Sequence, residues 1–375
     1  MYLGVYMTVY PNLFKCSDGT QITDVKGWEV KRRPELLQLF RKYEYGNLPD
    51  MSDVEIQIRL ADSRIDKNTM DSQAIRRTIE ITAIRKGIHF SFPAVIFIPD
   101  NAKEPVPCFL TVCNRGIQNA DPARHFLSDF WPAETIVARG YAAAEILTQD
   151  IAPDYDEGFT MGFHKLFPEY TGFRRPDDAW GAISAWSWGA SKVMDYLEKD
   201  PLINSKKVAI VGHSRGGKTA LWTVAQDIRF AMAVSSCAGN SGDALARKSK
   251  GETIADITGR FPYWFCRNYQ QFAHNEEKLP FDQHELIALI APRFVYTTSK
   301  TFDAWAFPEG QFKSLLLASE VWKMYGKQGF VDNTKPKPEH PISCDSIGYH
   351  IKTGIHDMNE YDWDLFLDFA DARLK

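Results

Sequence analysis

Hydrophobic and polar residues alternate along three segments in the first third of the chain. The alternation has a period of two, and polar turns separate the segments, which lie at residues 54–60, 77–84 and 90–98. This pattern is typical of antiparallel strands that bury one face and expose the other. Before them, residues 32–43 carry Pro34 in a first turn and predict a helix. The chain therefore begins with one predicted helix and three predicted antiparallel strands.

Beyond Pro107 the pattern changes to short apolar runs that alternate with helical segments. The runs predict strands buried on both faces, at residues 109–112, 141–147, 208–211, 229–235, 294–298 and 346–351. The helical segments are residues 180–197, one starting near Lys218, a short one ending within 286–292, 312–325 and 362–374. This alternation predicts a mostly parallel, doubly wound sheet. We interpret residues 1–375 as one α/β domain, with a helical and antiparallel-strand extension over about residues 1–105.

Composition and charge narrow the possible functions. The chain has 375 residues, and its 44 basic and 48 acidic residues give a net charge of −4 without a basic block, so no nucleic-acid surface is expected. No run of about 20 apolar residues predicts a membrane span. Residues 1–10 are apolar but lack a basic start and a clear cleavage site, so no signal peptide is predicted and the compartment stays open. The sequence does not determine the oligomeric state.

Cysteine and tryptophan usage adds two further points. The six cysteines include no C-x-x-C pair, so neither a metal site nor a redox motif is expected; they are Cys16, Cys108, Cys113, Cys237, Cys266 and Cys344. The ten tryptophans fit either aromatic surfaces that stack on sugars or a large aromatic core. The sequence leaves both interpretations open.

The run Gly212-His213-Ser214-Arg215-Gly216 matches the Gly-x-Ser-x-Gly nucleophile elbow. A predicted strand precedes it and a predicted helix follows it, which is the context in which this turn raises a serine hydroxyl above a sheet. Glycines allow the backbone to pass without a clash, and the helix N-terminus favours a developing oxyanion. We therefore expect Ser214 to be a catalytic nucleophile.

A serine nucleophile needs a base and an acid that orients the base, and in the elbow fold the acid precedes the histidine in the chain. His356 follows the last predicted strand and is the preferred base over His350, His284 and His213. Asp303 lies five residues beyond the strand that ends at Thr298 and is the preferred acid. The alternative acids are Asp243 and Glu309.

Two cationic residues follow the serine on the elbow. The backbone N–H of Arg215 is the expected oxyanion donor, and its guanidinium could reach the same charge. A second N–H is expected from residues 114–116, after an earlier strand. Lys218 lies one helical turn beyond Ser214, where a lysine opposes the helix dipole. This lysine either binds a sugar oxygen or pairs with a nearby acid, and the sequence leaves both open.

The elbow Gly212-His-Ser-Arg-Gly-Gly-Lys218 resembles the Gly-x-Ser-Arg-x-Gly-Lys elbow of the glucuronoyl esterases, carbohydrate esterase family 15. Further segments also resemble this family, so that the likeness covers most of the chain; they are residues 43–46, 261–265, 279–293, 303–305 and 354–356. The resemblance implies an α/β-hydrolase three-layer sandwich and a serine esterase without metal or other cofactor. It also implies a secreted or periplasmic enzyme acting on esters of 4-O-methyl-glucuronic acid, which link xylan to lignin alcohols.

The resemblance also implies roles for individual residues. Ser214 would be the nucleophile, His356 the base and Arg215 the oxyanion helper. Lys218 would bind sugar hydroxyls, and Trp305 would form a wall of the sugar site. For the family's second polar contact to the sugar we select Glu252.

The chain departs from the family pattern at two places. Many members carry the acid as a glutamate in a slot that here falls near Cys237, whereas others carry an aspartate at the position of Asp303. We therefore assign the acid to Asp303 and exclude Cys237. Fungal members have cysteines beside the serine and the histidine; here His213 and Asp357 stand there, so that disulfide is not expected.

The leading hypothesis is a glucuronoyl esterase that forms an acyl-enzyme on Ser214. Its expected substrates are glucuronoxylan or lignin–carbohydrate esters. The first alternative is an acetyl xylan esterase, which has less need of Lys218 and Trp305. The second is a catalytically inactive carbohydrate-binding protein, an alternative supported only by the missing glutamate near Cys237.

Overall fold

The computed structural model describes residues 10–65, 70, 74–331 and 334–375. All but the last residue of the apolar N-terminal stretch considered as a signal peptide lies outside the described residues. In the described part of the chain, no helix is both long enough and apolar enough to cross a membrane.

Ten strands form one continuous sheet at the centre of the molecule. The strands are β1 (Glu55–Ile65), β2 (Ala74–Arg85), β3 (Ile88–Pro99), β4 (Val106–Cys113), β5 (Ala142–Leu147), β6 (Ile203–His213), β7 (Met232–Ser236), β8 (Phe294–Lys300), β9 (Ile342–Ser343) and β10 (Ile347–Lys352). Their order across the sheet is β1-β2-β3-β5-β4-β6-β7-β8-β10-β9. The six strands from β5 to β10 in this order run parallel, and the strands at both ends are antiparallel. The predicted mostly parallel sheet with an antiparallel start is confirmed.

Helices cover both faces of the sheet. They are α1 (Val25–Gly27), α2 (Arg33–Tyr43), α3 (Ala133–Ala138), α4 (Thr148–Ile151), α5 (Ala182–Leu197), α6 (Arg215–Gln226), α7 (Ile254–Arg260), α8 (Gln283–Ala288), α9 (Pro308–Met324) and α10 (Glu360–Leu374). A π-helical turn, Trp28–Arg32, joins the first two. The helix expected to start near Lys218 begins at Arg215 instead, because the elbow leads directly into the first turn. Five short elements, β9, α1, α3, α4 and α7, were not predicted, since none is long enough to show a clear period.

Strand β6 shows why the central runs are apolar throughout. Val208 and Ile210 pack into the hydrophobic cluster on one face of the sheet, whereas Ala209 and Val211 pack into the cluster on the other face. Both faces are therefore covered, as is usual for parallel sheets. In β2, by contrast, buried and partly exposed residues alternate, which matches the period of two seen in the sequence. Because β3 pairs with β5, the antiparallel extension continues the main sheet.

The tryptophans serve mainly as core residues. Seven have almost no solvent exposure; they are Trp28, Trp131, Trp180, Trp186, Trp222, Trp322 and Trp363. Trp305 is the exception, with 47% of its surface exposed, and together with Trp264 it lines a cavity above the sheet. The high tryptophan content thus mainly reflects the core, and the composition alone did not distinguish these two residues from the others.

Candidate active site

Ser214 occupies the sharp turn between β6 and α6. Its backbone has φ 56° and ψ −125°, a conformation that a residue with a side chain rarely adopts. Such a conformation typically costs about 1–3 kcal/mol and persists where the surrounding structure enforces it. Here the N–H of Ser214 donates to the carbonyl of Ser236 at 2.8 Å, which ties the turn to the neighbouring strand β7.

The glycines of the elbow are required by the close packing of the turn. A Cβ at Gly212 would lie 2.0 Å from the carbonyl oxygen of Gly216. A Cβ at Gly216 would lie 2.9 Å from the carbonyl oxygen of Val112, on strand β4. Both distances are too short for non-bonded atoms, so the turn can form only with glycine at the first position and would be distorted by a side chain at the second.

His356 and Asp303 come together because strands β8 and β10 are neighbours in the sheet. The loops beyond these strands remain paired, since the N–H of Phe302 donates to the carbonyl of Gly354 at 2.9 Å. Nδ1 of His356 lies 2.6 Å from Oδ2 of Asp303. The carboxylate is buried, whereas 43% of the His356 side chain is exposed toward the cavity. The two residues predicted as base and acid are thus hydrogen-bonded to each other.

His213 packs beside this pair. Its ring centroid is 4.4 Å from that of His356, and its Nδ1 lies 3.2 Å from Oγ of Ser236. Burial lowers the pKa of His213 well below the usual value for histidine, with a further contribution from the nearby His356. His213 therefore stays neutral near neutral pH and adds no positive charge beside His356.

The other candidate bases are engaged elsewhere. His350 is buried. Its Nδ1 lies 3.1 Å from the hydroxyl oxygen of Tyr296, and its Nε2 lies 2.7 Å from Oδ1 of Asp362. His284 lies 3.1 Å from the carbonyl of Pro11. Neither residue lines the cavity that contains Ser214.

The alternative acids also lie away from His356. Asp243 is fully buried and accepts hydrogen bonds from Ser235 Oγ at 2.8 Å, Gly239 N at 2.8 Å and Gln311 Nε2 at 2.7 Å. Glu309 lies in the first turn of α9 and lines a different cavity. Of the three acids considered, Asp303 is the one that lies against the histidine.

Arg215 is the first residue of α6, so its N–H precedes the point at which intrahelical hydrogen bonding begins. Its guanidinium is held over the cavity by an ion pair with Asp154 and by a hydrogen bond from Nη2 to the carbonyl of Asn114 at 3.0 Å. The guanidinium carbon also lies 5.7 Å from the ring centroid of Trp264. Asp154 was not predicted as part of the site, because it is distant in sequence from the elbow and belongs to no motif.

Lys218 is buried and is held by backbone oxygens rather than by an ion pair with a nearby acid. Its Nζ donates to the carbonyl of Asn240 at 2.5 Å and to the carbonyl of Ala238. Burial lowers the pKa of Lys218, while the negative charges of Glu252 and Asp243 act in the opposite direction. The ammonium thus lies at the cavity wall, held in place by backbone oxygens.

Glu252 and Trp305 form the wall next to this lysine. The indole N–H of Trp305 donates to Oε1 of Glu252 at 3.1 Å, and the N–H of Glu252 donates to the carbonyl of Trp305 at 2.8 Å. Burial raises the pKa of Glu252, and the nearby Lys218 opposes this shift. Arg260, which was not predicted, lies with its guanidinium carbon 5.6 Å from the Trp305 ring. The wall thus combines an aromatic face with a carboxylate and two cations.

These residues enclose a cavity of about 420 Å³. All seven residues predicted for the site line it; they are Ser214, His356, Asp303, Arg215, Lys218, Trp305 and Glu252. The cavity is also lined by three residues for which no role was predicted, Arg260, Phe261 and Trp264. Phe261 and Trp264 stack at 4.0 Å. Their segment, 261–265, carried part of the family resemblance, so this signal was present in the sequence.

Cys237, which we excluded as the acid, lies directly beside the histidine. One ring nitrogen of His356, a carboxylate oxygen of Asp303 and Sγ of Cys237 all lie within 4.8 Å of one another. Burial raises the pKa of the Cys237 thiol far above the usual value. A neutral thiol cannot orient a base as a carboxylate does, which agrees with assigning the acid to Asp303.

The fold and the site define a hydrolase of the α/β-hydrolase class, with a serine on a nucleophile elbow at the carboxyl end of a central parallel strand. Comparisons with known proteins specify the family. The family model described as glucuronyl esterase, fungi, matches residues 81–326. The chain belongs to the glucuronoyl esterase family and is a carboxylic ester hydrolase.

Individual relatives cover nearly the whole chain. Carbohydrate esterase MZ0003, from an unknown prokaryotic organism, is 36% identical over 95% of this chain and 88% of its own length. A 4-O-methyl-glucuronoyl methylesterase of Phanerochaete carnosa is 26% identical over 86% of this chain and 74% of its own length. The structure of a glucuronoyl esterase from Solibacter usitatus is 33% identical, covers 98% of both chains and superposes with a TM-score of 0.88.

Proposed function

We propose that this enzyme hydrolyses esters of 4-O-methyl-glucuronic acid through an acyl-enzyme on Ser214. The observation that carries the proposal is the position of Lys218, Glu252 and Trp305 in the same cavity as Ser214. An ammonium, a carboxylate and an aromatic face are the groups that bind the hydroxyls and the apolar face of a sugar ring. The name of the Phanerochaete carnosa relative, a 4-O-methyl-glucuronoyl methylesterase, supports the same substrate class.

The chemical roles follow from the arrangement around the serine. His356 takes the proton of the Ser214 hydroxyl as the oxygen attacks the ester carbonyl carbon. The imidazolium then gives this proton to the oxygen of the leaving alcohol when the tetrahedral intermediate collapses to the acyl-enzyme. In the second half-reaction a water molecule, deprotonated by His356, releases the uronate and restores Ser214.

Charge on the tetrahedral oxyanion is stabilised from the N-terminal end of α6. The backbone N–H of Arg215 points from the first turn of this helix, where the dipole favours negative charge. The guanidinium of Arg215 adds a second donor, and Asp154 and the carbonyl of Asn114 hold it in position. Because the cation is already held in place, little reorganisation is needed when the negative charge develops. The cation therefore stabilises the transition state effectively.

The expected natural substrates are glucuronoxylan and lignin–carbohydrate esters. The wall formed by Lys218, Glu252 and Trp305 favours them over acetyl esters of xylan. In an acetyl ester the sugar lies on the alcohol side of the scissile bond, so Lys218 and Glu252 would not hold the acyl portion that becomes attached to Ser214. The experiment below therefore also tests for acetyl xylan esterase activity.

The experiment compares benzyl glucuronate with acetylated xylan for the wild type and for Ser214→Ala. We expect turnover of the uronate ester by the wild type, little acetate release, and loss of turnover in the variant. Full activity of Ser214→Ala would overturn the mechanism. Acetate release without uronate-ester turnover would instead indicate a glycan deacetylase.

A further inference from the structure

Three side chains of the kinds that bind zinc meet in the wall of the cavity. Sγ of Cys237, a carboxylate oxygen of Asp303 and one ring nitrogen of His356 lie within 4.8 Å of one another. They follow three consecutive strands of the sheet, β7, β8 and β10, and all three residues line the same cavity. Sulfur, carboxylate oxygen and imidazole nitrogen are the ligands that Zn²⁺ uses in proteins.

We propose that these three residues form a binding site for a thiophilic divalent cation such as Zn²⁺, and that occupation of this site reversibly inhibits the enzyme. The ligand atoms lie no more than 4.8 Å apart, and Nδ1 of His356 is 2.6 Å from Oδ2 of Asp303. Typical zinc bond lengths in a tetrahedral site place the ligand atoms about 3.4–3.6 Å apart. Side-chain movements of about 1 Å would bring the present atoms to these distances.

The site is accessible from solvent through the exposed side of the His356 ring. Because 43% of this side chain is exposed, a hydrated cation can reach the imidazole first and then the buried sulfur. The Cys237 thiol gives up its proton when it binds the cation, and the proton passes to solvent. A water molecule would complete a four-coordinate site, as in other sites with three protein ligands.

Occupation of the site removes the catalytic base whichever ring nitrogen binds. A cation on Nε2 occupies the lone pair that accepts the Ser214 proton. A cation on Nδ1 replaces the hydrogen bond to Asp303, which sets the orientation of the ring. Lys218, Glu252 and Trp305 are not ligands, so the sugar can still bind. We therefore expect the cation to lower kcat and to leave KM nearly unchanged.

Binding can be measured without substrate, using Cd²⁺ as the probe. Cadmium thiolates absorb in the ultraviolet, and the titration uses full-length protein without a polyhistidine tag. We expect one thiolate band per chain in the wild type, in Ser214→Ala and in Cys344→Ala, which removes a partly exposed cysteine outside the cavity. The band should be lost in Cys237→Ala and in the more conservative Cys237→Ser. A band that persists in these two variants, or its absence from the wild type, would overturn the proposal.

Inhibition is measured with benzyl glucuronate and Zn²⁺, each variant being compared with itself in the presence of a chelator. Saturating Zn²⁺ should lower the kcat of the wild type by at least about 10²-fold, the range attributed to a general base. The inhibitory concentration should rise by at least about tenfold in Cys237→Ser, since changes even outside the ligand shell have such effects. A rise in KM with constant kcat, or equal inhibition of Cys237→Ser, would contradict the site. The inhibition experiment rests on the proposed function, whereas the Cd²⁺ titration tests the binding site even if that function is wrong.

Discussion

Nδ1 of His356 and Oδ2 of Asp303 lie 2.6 Å apart, although 53 residues separate them in the chain. A carboxylate can only accept a hydrogen bond, so this contact places the imidazole proton on Nδ1. Nε2 is then left with a free lone pair, which is the form required of a base that activates a serine. The pair therefore sets both the orientation of the ring and its tautomer.

Replacing Asp303 tests this relationship. In Asp303→Asn the amide can donate to Nδ1 and so favour the wrong tautomer, for which we expect kcat on benzyl glucuronate to fall by about 10³–10⁴-fold. The matched control is Glu309→Gln, which neutralises an exposed acid six residues away and should retain activity. Activity that survives in Asp303→Asn would assign the acid to another residue.

Replacing Lys218 tests the sugar site separately from the ester chemistry. Lys218→Met removes the ammonium but keeps most of the apolar volume. A hydrogen bond from a charged group contributes about 1.5–3 kcal/mol, so kcat/KM on benzyl glucuronate should fall by about 10–100-fold. Hydrolysis of a small aryl acetate, which has no sugar, should change little.

Lys250→Met provides the control for this loss, because Lys250 is exposed and lies two residues before Glu252. Equal losses on the uronate ester and the aryl acetate would indicate that Lys218 acts on the elbow itself rather than on the sugar. The ratio of the two kcat/KM values distinguishes these roles.

The ion pair between Arg215 and Asp154 predicts a graded effect on the oxyanion. Arg215→Met removes the guanidinium and should lower kcat by about 10²-fold, as does the loss of one oxyanion donor. Asp154→Asn leaves the arginine attached to the carbonyl of Asn114, so we expect a smaller decrease in kcat. The control is Asp156→Asn, an exposed aspartate on the same loop. A decrease for Asp154→Asn that equals that for Asp156→Asn would show that the ion pair has no role in catalysis.

Glu44 predicts a dependence of stability on pH. Burial raises the pKa of its carboxyl to about 8, although Nε2 of Gln283 donates to it at 3.0 Å. Because the folded state keeps the proton up to a higher pH than the unfolded state, the stability due to Glu44 is fully present at low pH. It is lost as the pH rises from the ordinary glutamate range through about 8.

Thermal unfolding between about pH 5 and pH 9 measures this effect, because an ordinary glutamate stays charged over this range. The decrease in melting temperature toward high pH should be smaller in Glu44→Gln than in the wild type. Glu104→Gln, at an exposed position, should follow the wild type. Identical pH profiles for the wild type and Glu44→Gln would refute the assignment.

The close packing of the elbow predicts opposite outcomes for two glycine substitutions. Gly212→Ala places a Cβ 2.0 Å from the carbonyl oxygen of Gly216, and overpacking of this kind costs about 1–3 kcal/mol or more. Gly259→Ala, in α7, meets no atom within 4 Å and should stabilise the helix by up to about 1 kcal/mol. Chemical denaturation of both variants gives the free energies of unfolding. A Gly212→Ala protein as stable as the wild type would contradict the geometry of the turn.

The sequence by itself determined the order of the main strands and helices and the position of the candidate nucleophile. The period of two in residues 77–84, the fully apolar run at 208–211 and the glycines around Ser214 each carry a local signal. Such signals are visible because side-chain direction repeats with a short period along a strand, and because a tight turn admits few residue types. Asp303 and His356 could be selected for the same reason, since each follows a predicted strand.

The tertiary structure alone decided which of these residues meet. Strands β8 and β10 are neighbours, so Asp303 rather than Asp243 reaches His356, and the same strand order places Cys237 beside them. It also decided that Asp154 holds Arg215, that backbone carbonyls hold Lys218, and that seven of the tryptophans fill the core. These contacts join residues far apart in the chain. Their distances depend on strand order and packing, which leave no periodic trace in the sequence around either partner.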